Sequence, residues 1–213
     1  MTKSEPLVHG QYYHIFNRGN GGENLFREER NYPYFLGLFA RYIEPVAETY
    51  AYCLMPNHFH VLVRIKDWQV LSSEGTGGPS EDCRSCPPED CRSLNASRSF
   101  SSLFSTYTKA LNKAFERTGS LFEKPFHRIL VDSDRYFAAL VAYIHHNPQR
   151  HGFVDEYRSW PHSSYQAILS DKATRIQRDV VLEWFGGRAG FEMLHDDCSR
   201  EQMIEPLVGD DFL

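Results

Sequence analysis

The sequence predicts an α+β fold, a ferredoxin-like antiparallel sheet with helices packed on one face. Three observations carry this expectation. Short segments alternate apolar and polar residues with the period of two that a half-buried strand requires. Longer segments carry apolar stripes at helical spacing. The two kinds follow one another as β, α, β, β, loop, α, β, α and then an irregular tail, the order of a split βαβ plan.

Residues 11–18, QYYHIFNR, are aromatic and β-rich and end at the turn GNGGE. A helix is expected over about 28–43, where Tyr34, Leu38, Arg41 and Tyr42 recur at helical spacing and Phe35, Leu36 and Phe39 fill an apolar face. ETYAYCLM (48–55) reads as a second strand, and Pro56-Asn57 as a turn. In HFHVLVRIK (58–66), Phe59, Val61, Val63 and Ile65 share one face, and His58, His60, Leu62 and Arg64 share the other. Phe100, Leu103, Phe104, Tyr107, Leu111 and Phe115 then stripe a helix that ends near Thr118-Gly119. FHRILV (126–131) is a short strand. Asp132 or Ser133 can cap a helix over about 134–146, which Asn147-Pro148 is expected to stop.

The chain has 213 residues, 41% of them hydrophobic, which suits one domain with appendages. It contains no apolar run long enough to span a membrane and no signal-peptide core, so a cytoplasmic location is expected. The net charge of −5 argues against a nucleic-acid partner only in bulk. The acidic excess sits in residues 71–99 and 167–213, and the rest is balanced to slightly basic. Residues 71–99 are rich in Ser, Gly, Pro and acid, and repeat PSEDCRS as PPEDCRS. This reads as a flexible insert interrupting a single domain over 1–166, with 167–213 as an acidic tail or accessory segment. Cys83, Cys86 and Cys91 lack a convincing fourth ligand for zinc, and the duplication accounts for them more simply.

Two features carry chemistry. His58 and His60 stand at i and i+2 on a strand, roughly 7 Å apart and on one side, so both imidazoles can converge on one metal ion given a third ligand. The competing reading is a pair of surface or hydrogen-bonded core histidines. Tyr143 and Asn147 stand at i and i+4 on the last helix, one above the other. A packing tyrosine is the ordinary role at such a place.

The two halves meet in a known pattern. YYHIFNRGN (12–20), YCLMPNHFHVLV (52–63), TGSLFEKPFHRILV (118–131), YIHHNPQRHGFV (143–154) and WPHSSY (160–165) resemble, in order, the single-tyrosine HUH transposases, in the branch associated with repetitive extragenic palindromes. The resemblance implies that His58 and His60 hold a divalent ion, Mg²⁺ or Mn²⁺, with Asn147 as third ligand. It implies that Tyr143 attacks a DNA phosphodiester, leaving a 5′-phosphotyrosine and a free 3′-hydroxyl. The substrate implied is single-stranded DNA beside a hairpin. Arg18, Lys109, Lys113, Arg117, Lys124, Arg128 and Arg150 are candidates to line its track.

The pattern also has departures. LFEKPFHR is less basic than the corresponding family stretch, and NPQRHG has a histidine where a small residue more often precedes the glycine. His145 and His146 flank the tyrosine's helix face, and packing or capping is the default for both. A non-catalytic hairpin binder is the alternative to the nickase, and a metal-dependent phosphodiesterase using activated water is a third reading. A monomer is expected, with a dimer exchanging the tyrosine helix as the alternative.

Overall fold

The computed structural model describes residues 6–67 and 95–197. The predicted alternation becomes four strands: β1 (Tyr12–Arg18), β2 (Ala47–Met55), β3 (His58–Ile65) and β4 (His127–Val131). They form one sheet in the order β2-β3-β1-β4, antiparallel throughout. A shift in pairing between Thr49 and Ala51 bends β2, so that Ala51, Cys53 and Met55 face the same way as His60.

Helix α1 (Asn31–Tyr42) crosses from β1 to β2, and α2 (Ala96–Ala114) crosses from β3 to β4. The Asn95 side chain accepts a hydrogen bond from the Arg98 amide, capping α2 ahead of the apolar stripe that begins at Phe100. The described end of the expected insert is therefore helical, while Cys83, Cys86 and Cys91 lie outside the described residues. Both helices bury aromatic stripes on the odd-numbered face of the sheet. Phe35, Phe39, Phe100, Phe104 and Tyr107 pack there with Ile15, Phe59, Val61 and Val63.

The α+β class and the ferredoxin-like strand order hold, but helices do not cover one face alone. The third long helix, α3 (Asp134–Arg150), lies on the opposite face, burying Phe137, Leu140, Val141 and Ile144 against Phe16, Cys53 and Leu62. The physical reason lies in β1 and β3. Beside three histidines, their even-numbered face carries Phe16 and Leu62, which with Tyr50, Cys53 and Met55 of β2 make an apolar patch that α3 covers.

Ser133 caps α3 through the Tyr136 amide. Contrary to the expected stop, the helix runs through Pro148 to Arg150. Pro148 falls in the final turn, where the amide it lacks removes one bond without breaking the helix behind it. The end is closed by the His151 amide on the Asn147 carbonyl and by Gly152 on Gln149.

Beyond α3 the chain is folded rather than irregular as far as residue 197. Helices α4 (Tyr165–Leu169), α5 (Arg178–Trp184) and α6 (Arg188–Asp196) add Tyr165, Ile168, Val181 and Phe191 to the core under α3. Trp160 donates its indole N–H to the Leu54 carbonyl, and the Tyr52 amide donates to Ser164, so WPHSSY closes the edge of the sheet.

Candidate active site

Antiparallel register builds the site. Phe16 lies opposite His60, and Arg18 opposite His58. The turn before His58 is anchored by the Gly19 amide on the Asn57 carbonyl at 2.8 Å. A side chain at Gly19 would collide with the Glu23 backbone, with its Cβ only 1.8 Å from the carbonyl oxygen, so only glycine fits there. Asn57, legible in the sequence only as a turn residue, accepts at Oδ1 from His58 Nδ1 at 2.7 Å. His60 Nδ1 lies 2.9 Å from His14 Nε2.

Each histidine of the pair thus has Nδ1 engaged. The Nε2 atoms of His58 and His60 are buried and have no hydrogen-bond partner among the described residues. A buried polar atom left this way costs about 1–3 kcal/mol, and nature seldom keeps one without a use. An engaged Nδ1–H with Nε2 presenting its lone pair is the form a metal-ligating imidazole takes. Burial pushes the pKa of His58 down to about 3, aided by His151 and Arg18. It pushes that of His60 well below the ordinary value, aided by His14, His58 and His151. Both rings are therefore neutral near pH 7, and the tautomer protonated at Nδ1 leaves the Nε2 lone pair to coordinate. The residues fit a divalent ion. No three His, Cys, Asp or Glu side chains are grouped as a ligand set among the described residues. A third ligand must be an amide or must move in.

Tyr143 of α3 is wholly buried, with its ring edge-on to His60 at 5.6 Å and 6.3 Å from that of His14. Asn147, one turn on, is buried and returns its Nδ2 to the Tyr143 carbonyl at 2.8 Å, leaving Oδ1 as the atom it can present. The Arg150 guanidinium lies over the Tyr143 ring at 5.5 Å. The structure therefore brings His58, His60, Tyr143, Asn147 and Arg150 to one region of a single chain.

The other basic candidates divide. Arg18 sits beside His58 and pairs loosely with Glu123 at 3.8 Å. Lys109, Lys124 and Arg128 line a groove of about 840 Å³ between α2 and residues 119–126, floored by Phe104, Phe122 and Phe126 on the face opposite Tyr143. Asn17, next to Arg18, also lines it and joins the two regions. Lys113 is exposed and not part of that lining. Arg117 is committed elsewhere, because its guanidinium binds Glu23 and Asn112 and ties the end of α2 to the loop after β1.

His145 and His146 both turn away from the pair. His146 packs on the Tyr157 ring at 4.0 Å with the planes tilted. His145 is held in a closed chain whose tautomers can be assigned. His195 Nδ1–H donates to the Phe191 carbonyl at 2.7 Å, so its Nε2 must accept. His145 Nδ1–H then donates to it at 2.8 Å, and His145 Nε2 accepts from the Ser164 hydroxyl at 2.7 Å. His14 and His195 were invisible as partners in the sequence, though the parity of β1 places His14 on the His58–His60 face.

No family model matches the chain. Over 149 residues it is 25% identical to a curated REP-associated tyrosine transposase of Haemophilus influenzae, covering 70% of this chain and 72% of the relative. Its fold is similar to that of a REP-associated tyrosine transposase solved bound to a REP hairpin. That match has a TM-score of 0.54 at 16% identity and covers 80% of this chain and 87% of the other. The resemblance to this group therefore holds in sequence and in fold. No helix among the described residues is long and apolar enough to cross a membrane.

Proposed function

We propose that this chain is a transposase-type nickase and strand transferase, acting on single-stranded DNA beside a hairpin through a covalent 5′-phosphotyrosine. One observation carries the reading: His58 and His60 each keep a buried Nε2 without a partner, and α3 packs Tyr143 against the His60 ring. A divalent ion, Mg²⁺ or Mn²⁺, held by His58 and His60 with Asn147, would supply positive charge at the scissile phosphate.

The chain's own residues do the rest. The Tyr143 oxygen forms a bond to phosphorus, the bond to the 3′-oxygen breaks, and the phenolic proton is balanced by the one the 3′-hydroxyl gains. Free tyrosine, with a pKa of about 10, is a poor nucleophile at neutral pH. Arg150 over the ring favours the negative charge that the phenolic oxygen carries as it attacks. Arg18, Lys109, Lys124 and Arg128 offer phosphate contacts along the end of the sheet and into the groove. Because Tyr143 packs against His60 of its own chain, a monomer suffices for a complete site.

One observation favours a second reading. Tyr143 has no exposed surface, so a strand reaches it only when the groups around it give way. A hairpin binder that never cuts would leave it covered. The two readings separate on a denaturing gel with single-stranded hairpin DNA and Mn²⁺ or Mg²⁺. The nickase gives a covalent protein–DNA band that vanishes in Tyr143→Phe. Retained hairpin binding with no adduct, across both metals and a panel of hairpins, would establish the binder.

A further inference from the structure

His151 takes no part in the proposed reaction, yet it stands against the metal pair. It is the residue that ends α3, half-buried, with its ring edge-on to that of His58 at 4.6 Å and 71°. It also lies within electrostatic reach of both His58 and His60. The His58 and His60 rings are themselves 5.4 Å apart at 88°.

These spacings can be compared with what a shared ion demands. With metal–nitrogen distances of about 2.1 Å, two imidazoles at neighbouring positions of one ion have centres roughly 4.5–5 Å apart. The His58–His151 separation of 4.6 Å falls in that range, and the His58–His60 separation of 5.4 Å is slightly wider. The three rings are not yet closed into a ligand set, so one must swing inward. His151 is the one placed to do so, because it follows the last turn of the helix and is partly in solvent, whereas His58 and His60 stand within a buried strand.

We infer that His151 supplies a third imidazole nitrogen to the ion held by His58 and His60, making the site favour Mn²⁺ over Mg²⁺. The inference rests on the metal reading of the pair given above. Nitrogen ligands suit first-row transition ions, whereas Mg²⁺ prefers oxygen and gives up its waters reluctantly. Asn147 then supplies the oxygen that the same ion accepts.

The test is Mn²⁺ binding to the purified full chain, without DNA, followed by electron paramagnetic resonance. The signal of free Mn²⁺ gives affinity, and nitrogen couplings count bound imidazoles. Wild type is expected to bind one ion with three nitrogens. His151→Ala, and His151→Phe, which keeps the bulk of the ring, should each lose one nitrogen and about tenfold or more in affinity, with unchanged unfolding midpoints. Wild-type affinity and nitrogen count in both variants would overturn the inference while leaving the His58–His60 site intact. Absence of Mn²⁺ binding in wild type would overturn the metal reading as well, and is distinguishable from the first failure.

Discussion

Two groups of buried histidines flank α3, and their hydrogen bonds are organised in opposite ways. In the His145–His195 group every ring nitrogen is matched, from the Ser164 hydroxyl at one end to the Phe191 carbonyl at the other. In the His58–His60 group the Nδ1 atoms are matched and the Nε2 atoms are not. Residue type and burial are the same in both groups. The difference is that the first has completed its bonding within the protein and acts as a tie between α3 and α6. The second leaves a buried Nε2 on each ring unmatched, and the proposed metal site rests on that feature.

The largest effect that separates the groups is on the reaction. His60→Ala should reduce adduct formation by about a thousandfold, roughly 4 kcal/mol in the barrier, on top of a loss of about 2–4 kcal/mol in unfolding free energy for removing a buried ring that bonds His14. A large drop in stability with activity retained would assign the pair a structural role and erase the distinction.

Acid comes next, because it acts on both groups. Burial holds His14, His58 and His195 at about 3, and His60 and His145 well below their ordinary values. The folded state therefore binds fewer protons than the unfolded chain at any pH below about 6.5. Stability is fully present above that value and is lost as the pH falls toward 3, by about 1.4 kcal/mol per pH unit for each such histidine. With a typical stability of about 5–15 kcal/mol, the fold should fail within roughly two units below pH 6.5. Urea melts from pH 7.5 to 4.5 with chelator present would show this, and a flat profile would contradict the neutral-histidine assignment.

His195→Ala then probes the tie alone. It strips His145 Nδ1 of its acceptor and opens space beside Phe191, so a loss of about 2–4 kcal/mol in unfolding free energy is expected. Hairpin affinity should change little. Smallest is Lys109→Ala at the groove, which should weaken hairpin binding only a few-fold and reduce the salt slope by about 1. An unchanged slope would remove the groove from the DNA track.

Much of this was legible in the sequence, and the limits have physical causes. Alternation in residues 58–66 put His58 and His60 on one face, and the spacing of Tyr143 and Asn147 put both on one side of a helix. Which face α3 would cover was not legible, because a strand with apolar residues on both sides does not say which helix goes where. His14, Asn57 and His151 join the site through strand register, a turn and a helix end, which single-residue periodicity does not encode. Asn147-Pro148 misled because proline stops a helix only where its missing amide matters. The tie of Arg117 to Glu23 was not legible because that carboxylate lies 94 positions away in the chain.

The most direct test of the central claim is peptide mapping of the covalent species by mass spectrometry after nuclease and protease digestion. If His58, His60 and Tyr143 form one reaction centre, the nucleotide remnant will be found on the peptide carrying Tyr143, joined through a 5′-phosphate, and only when divalent metal is supplied. A remnant on another tyrosine, or cleavage whose products carry no protein, would contradict it.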